Sequence, residues 1–153
     1  MNRTQIRSAS PGFSIVELML ALAIGFVLLG ITVRAMAPVR QASAVRSGDF
    51  VVRSMLSRAR AEAIERNETV LMRLDPTGDT AWIQAGTDQV DRFDFHEELG
   101  VNVLAAQAVT ICMTARGVAD ANCNYPLLPM IGLRVGGKST YLQVLPSGQI
   151  ITP

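Results

Sequence analysis

The sequence predicts an α+β protein, in which a long N-terminal α-helix packs on a small antiparallel β-sheet head domain. Three features of the 153-residue chain predict this class: an apolar run over residues 13–33, apolar residues at three- and four-residue steps over 45–63, and an apolar period of two after residue 67. The length fits one such domain beside the apolar run.

The apolar run begins at Phe13 and contains one charged residue, Glu17. As a helix rising about 1.5 Å per residue it is roughly 31 Å long, which is enough to cross the hydrocarbon core of a bilayer. The whole chain carries 14 basic and 13 acidic residues, so its net charge creates no general attraction to nucleic acid.

Two interpretations of this run leave part of the sequence unexplained. A secretory signal would use the small residues at 35–37 as its cleavage site, but the run is longer than the usual apolar region of a signal, and Arg34 precedes the site. A plain anchor gives no reason for Glu17, because an ionised carboxylate in a spanning helix costs about 2–3 kcal/mol near the bilayer centre.

A third interpretation rests on residues 10–30, which read SPG-FSIVELMLALAIGFVLLG. This stretch resembles the class III leader of type IV prepilins and type II secretion pseudopilins, with glycine, an aromatic residue and one acid at the family spacing. The resemblance implies that residues 1–12 are a leader peptide, which a prepilin peptidase removes by cleaving between Gly12 and Phe13. It also implies N-methylation of Phe13 and an assembly contact between Glu17 and the N-terminal amine of a neighbouring subunit.

The helical pattern continues beyond the apolar run. We expect a transmembrane and assembly helix over 13–36, an amphipathic half of the same helix over 37–67, and a β-rich periplasmic head over 68–153. Pro38 predicts a kink near residues 34–37, and Asn67 predicts a left-handed helix end. Glu62 is spaced to pair with Arg58 and Arg66 on the exposed side. The stripe that faces the core is expected to contain Val45, Gly48, Val52, Met55, Leu56, Ala59 and Ala63.

The head is predicted to consist of short strands separated by turns. Turn residues occur at 75–78, 136–137 and 146–148, and alternating apolar segments lie between them. The predicted strands are 69–74, 81–85, 92–96, 101–104, 109–113, 131–135 and 140–145.

A second resemblance covers the end of the helix and both ends of the head. Residues 58–74 (RARAEAIERNETVLMRL) and 141–150 (YLQVLPSGQI) resemble the GspH/FimT group of minor pilins and pseudopilins. The resemblance implies a minor type IV pilin in the pilus tip or initiating complex. The alternative is a GspH-like minor pseudopilin of a type II secretion system, which shares the fold and differs in its partners.

The same resemblance implies partners and a location. The partners are a prepilin peptidase, other major and minor pilins or pseudopilins, an inner-membrane assembly platform and the lipid bilayer. The chain would cross the inner membrane once, with a periplasmic head, and then enter a pilus or pseudopilus. Some FimT-like proteins bind DNA through basic residues near the C-terminus. Nucleic acid is disfavoured as a partner here because residues 148–153 contain no arginine.

Cys112 and Cys123 follow a membrane segment, which indicates an oxidising compartment and predicts a disulfide between them. Two free buried thiols are the alternative.

The sequence predicts no enzyme, cofactor or metal site. His96 is the only histidine, two cysteines and one histidine cannot supply four zinc ligands, and the acids at 91–98 lack calcium-loop spacing.

Overall fold

The computed structural model describes residues 14–124, 126, 129–145 and 147–153, so Gly12 and Phe13 lie outside the described residues. Contacts within the chain divide it into two units, Met1–Ala37 and Pro38–Pro153. Helix α1 spans Ile15–Arg66 and contributes residues to both units. It contains Pro38, and the kink expected before that residue stays a prediction.

Two four-stranded antiparallel sheets form the head. In spatial order, the first sheet contains β3 (Asp88–Asp94), β2 (Thr80–Ala85), β1 (Val70–Asp75) and β5 (Val109–Met113). The second sheet contains β4 (Asn102–Leu104), β6 (Met130–Val135), β7 (Lys138–Val144) and β8 (Ile150–Ile151). The predicted α+β class, a long helix packed on antiparallel sheets, is confirmed.

One hydrophobic core joins the inner faces of both sheets to the C-terminal half of α1. All seven residues of the predicted helical stripe are buried. Gly48 lies close to the second sheet: a Cβ there would come within 3.2 Å of Leu133 Cδ1, so glycine allows the helix and sheet to approach. Each large apolar side chain buried in this way contributes about 1.5–3 kcal/mol relative to its exposed state.

The C-terminal end of α1 has the predicted left-handed residue. Asn67 has φ 52°, and its N–H donates to the carbonyl oxygen of Ile64 at 3.3 Å. The N–H of Glu68 donates to the carbonyl oxygen of Ala63 at 3.3 Å. These two bonds form a Schellman motif, which satisfies carbonyl groups at the helix end and turns the chain into β1.

The strand predicted over 92–96 is wrong at its C-terminal end. Strand β3 ends at Asp94, and Phe95–Leu99 form a short helix, α2. Asp94 caps this helix, because its carboxylate accepts a hydrogen bond from the N–H of Glu97 at 2.8 Å. Gly100, with φ 65°, ends it. His96 therefore lies in α2 and not in a strand.

Two further differences come from contacts across the fold. The guanidinium of Arg58 lies 2.7 Å from a carboxylate oxygen of Asp91 in β3, where the sequence predicted a pair with Glu62. Glu62 pairs with Arg66 at 3.0 Å, as predicted, and this hydrogen bond raises the pKa of Arg66 above its ordinary value. Strand β8 was not predicted, since two residues are too few to show a period of two.

Asp79 holds the first sheet to the second. It lies in the turn between β1 and β2 with φ 50°. One carboxylate oxygen accepts from the N–H of Val103 at 2.6 Å, and the other accepts from Nδ2 of Asn102 at 3.1 Å. Its carbonyl oxygen accepts from the N–H of Phe95 at 2.8 Å. The turn is therefore bonded to both β4 and α2.

We expect Asp79→Ala to destabilise the head by about 2–4 kcal/mol, because alanine removes two acceptors and tolerates a positive φ poorly. Denaturant unfolding followed by the fluorescence of Trp82 measures the loss. Asp79→Asn is the matched control: asparagine keeps one acceptor oxygen and adopts a positive φ more readily, so its loss should be smaller. Equal stability of the two variants would contradict this role for Asp79.

Candidate assembly site

The first unit presents a helical segment whose large apolar side chains are exposed. The 18 consecutive residues of this helix with the highest mean hydropathy, 2.5, are not buried. By length and composition the helix can cross a membrane. Exposure of so much apolar surface to water is unfavourable, so this segment requires lipid or other protein around it. Its exposed large apolar side chains are Ile15, Val16, Leu18, Met19, Leu20, Leu22, Ile24, Phe26, Val27, Leu28, Leu29 and Ile31.

Glu17 lies in the first turn of α1 and is exposed. Ser14 precedes this turn, and its Oγ accepts a hydrogen bond from the N–H of Val16 at 3.3 Å. The helix dipole favours a carboxylate at this end of the helix. Among the described residues, Glu17 has no hydrogen bond or ion pair, so its carboxylate is available to a group outside the chain.

The predicted site residues belong to different parts of the chain. Gly12 and Phe13 lie outside the described residues, Glu17 belongs to the first unit, and the two cysteines belong to the second. No group of three His, Cys, Asp or Glu side chains that could hold a metal occurs in the described ranges. The candidate site is therefore the exposed helical segment around Glu17.

Cys112 and Cys123 form a disulfide in the structure, in agreement with the prediction, and their Cα atoms are 5.8 Å apart. The segment that follows β5, up to Asn124, is also hydrogen-bonded to the end of that strand. The side-chain oxygen of Asn124 accepts from the N–H of Cys112, and the N–H of Asp120 donates to the carbonyl oxygen of Cys112, both at 2.9 Å. Cys112 is fully buried, so the disulfide attaches the loop that ends at Cys123 to the core.

We expect the double variant Cys112→Ala/Cys123→Ala to lose roughly 3 kcal/mol of stability, because the disulfide restricts a short loop in the unfolded chain. Thermal unfolding of the variant and the wild type checks this value. Mass spectrometry of non-reduced, alkylated protein from the periplasmic face tests the bond itself. Two alkylated thiols in that material would contradict the pairing.

Two arginines of α1 lie on the C-terminal segment, an arrangement that the sequence did not reveal. Arg53 donates to the carbonyl oxygen of Ile150 at 3.1 Å and to Oγ1 of Thr152 at 3.2 Å. Arg60 donates to the carbonyl oxygen of Gly148 at 2.9 Å. The C-terminal segment lacks arginine in its own sequence, but these contacts attach it to the helix.

Comparison with known proteins gives a fold likeness. No family model matches the chain, and no curated protein matches it in sequence. Two crystal structures of the type IV minor pilin FimU from Pseudomonas aeruginosa are similar to it, with TM-scores of 0.54 and 0.50. Each is 17% identical to it over 73% of this chain, and the alignments cover 90% and 91% of the FimU chains. The likeness shows that the chain has a pilin-like fold.

Proposed function

We propose that this chain is a minor subunit of a type IV pilus, located near the tip or in the complex that initiates the filament. Its role is structural, and it supports pilus assembly rather than catalysis. The observation that carries the proposal is the exposed apolar segment of α1, with Glu17 in its first turn and no partner for that carboxylate among the described residues. The likeness of the fold to FimU, a type IV minor pilin, supports the same role.

The proposed order of events begins at the inner membrane. The apolar segment anchors the precursor, and a prepilin peptidase cleaves between Gly12 and Phe13 at the membrane face. N-methylated Phe13 then begins the mature chain. The assembly platform moves the subunit from lipid into the filament, where the exposed apolar side chains contact the helices of other pilins.

Glu17 would make this transfer selective. An ionised carboxylate is unfavourable in hydrocarbon, and a buried charge recovers much of its desolvation cost only when a charge of opposite sign is near. The amine of Phe13 in a neighbouring subunit is such a charge. Pairing of Glu17 with that amine therefore favours the filament over the membrane.

The experiment compares two filament systems in the host cell. Deletion of the gene is expected to reduce piliation and to leave type II secretion unchanged, and an epitope-tagged copy should appear in sheared pili at a low ratio to the major subunit. Loss of secretion with normal piliation would contradict the proposal and would indicate the minor pseudopilin instead. Absence of the tagged chain from every sheared filament would contradict the pilus role.

A further inference from the structure

The outer face of the first sheet, which points away from α1, carries a row of two arginines and one tryptophan. In the strand register, Trp82 of β2 lies opposite Arg73 of β1 on one side and Arg92 of β3 on the other. Both arginine side chains are exposed, and Trp82 is half-buried. Side chains directly opposite in neighbouring strands have Cβ atoms about 4.5–5.5 Å apart, so Trp82 has an arginine as its neighbour on each side. We call these three residues the Arg–Trp–Arg row.

Within the described part of the chain, neither guanidinium of the row has a hydrogen bond or an ion pair. Three arginines of α1 differ in this respect, because Arg53, Arg58 and Arg66 each pair with a carboxylate. Two positive charges about 10 Å apart repel by only about 0.4 kcal/mol in water. The absence of a bound partner therefore costs the row little free energy.

A row of acceptors runs beside the Arg–Trp–Arg row. Asp75, Thr80 and Asp94 lie opposite one another in the same three strands, two positions away from the Arg–Trp–Arg row in each strand. One carboxylate oxygen of Asp75 accepts from the N–H of Thr77, and one of Asp94 accepts from Glu97, which leaves a second oxygen on each. The face therefore presents a basic row and an acidic row about 7 Å apart.

We propose that this face binds a protein partner that presents carboxylates to the Arg–Trp–Arg row. Tryptophan and arginine are the residues most enriched at the energetic centres of protein interfaces. A protein surface can place its own acids on Arg73 and Arg92 and hydrogen-bond donors on Asp75 and Asp94. A nucleic acid strand cannot, because its phosphates would also approach the acidic row. The interaction does not depend on the role of the chain in a filament.

The test uses the full chain in detergent micelles and the fluorescence of Trp82, the only tryptophan in the chain. The probe is a soluble peptide of alternating glutamate and serine, whose hydroxyl groups can donate to Asp75 and Asp94, and the control peptide has glutamine in place of glutamate. We expect the acidic peptide to change the Trp82 emission in a saturable manner that salt weakens, while the control peptide has no effect.

The double variant Arg73→Gln/Arg92→Gln is expected to weaken binding of the acidic peptide by about ten-fold. Arg40→Gln/Arg46→Gln is the matched control: it removes two exposed positive charges from α1 and should leave the affinity unchanged. Absence of a response, or an equal loss in both double variants, would overturn the proposal. Tighter binding of oligothymidylate than of the acidic peptide would also overturn it, and would assign the face to nucleic acid.

Discussion

Glu17→Ala is expected to enter the membrane and to be cleaved normally, but to be lost from filaments. Removal of the carboxylate makes the helical segment more apolar, so insertion should not suffer. In the filament, the amine of a neighbouring Phe13 would lose its partner, and an unpaired buried charge costs about 3–5 kcal/mol. We expect incorporation to fall by at least about ten-fold, measured as the amount of this chain in sheared filaments relative to its amount in the membrane.

Two further variants separate charge from polarity in this first prediction. Glu17→Gln should fail nearly as severely as Glu17→Ala, because a neutral amide cannot balance a buried cation. Thr32→Ala is the matched control, since its hydroxyl donates to the carbonyl oxygen of Leu28 at 2.9 Å within the same helix and has no expected role in assembly. Normal incorporation of Glu17→Ala would mean that the acid is incidental in this chain.

Gly12→Leu is expected to leave almost all of the chain as full-length precursor in the inner membrane. Glycine before the scissile bond leaves the backbone open to a protease at the membrane face, and a leucine side chain obstructs that approach. Immunoblots of membrane fractions separate precursor from mature chain by size. Mass spectrometry of the wild-type mature chain should find N-methylated Phe13 as its first residue.

The control for this second prediction is Ala9→Leu, which places the same bulky side chain in the leader but away from the bond. It should be processed like the wild type. A mature wild-type chain that begins at Pro38 would contradict the pilin-like leader and would support cleavage of a secretory signal instead.

Much of the fold follows from patterns that are local in the sequence. The buried stripe from Val45 to Ala63 repeats at the spacing of a helix, and burial of every member confirms it. Asn67 tolerates the left-handed conformation that ends α1, and this tendency belongs to the residue itself. The exposed apolar segment and the position of Glu17 within it are likewise evident from residues 13–33 alone. These features could be predicted because each depends on residues within a few turns of one another.

Residue patterns were enough to predict the helix, most of the strands, the pairing of Cys112 with Cys123 and the acid in the apolar segment. The features that depend on strand order and register came from the three-dimensional structure. It changed the end of the strand predicted over 92–96 into α2, and it gave Arg58 a partner in β3. It also placed Trp82 between Arg73 and Arg92, which are 9 and 10 residues away from it in the chain. Strand register depends on turn geometry and on which face of the sheet is buried, and the alternation of residues within one strand reveals neither.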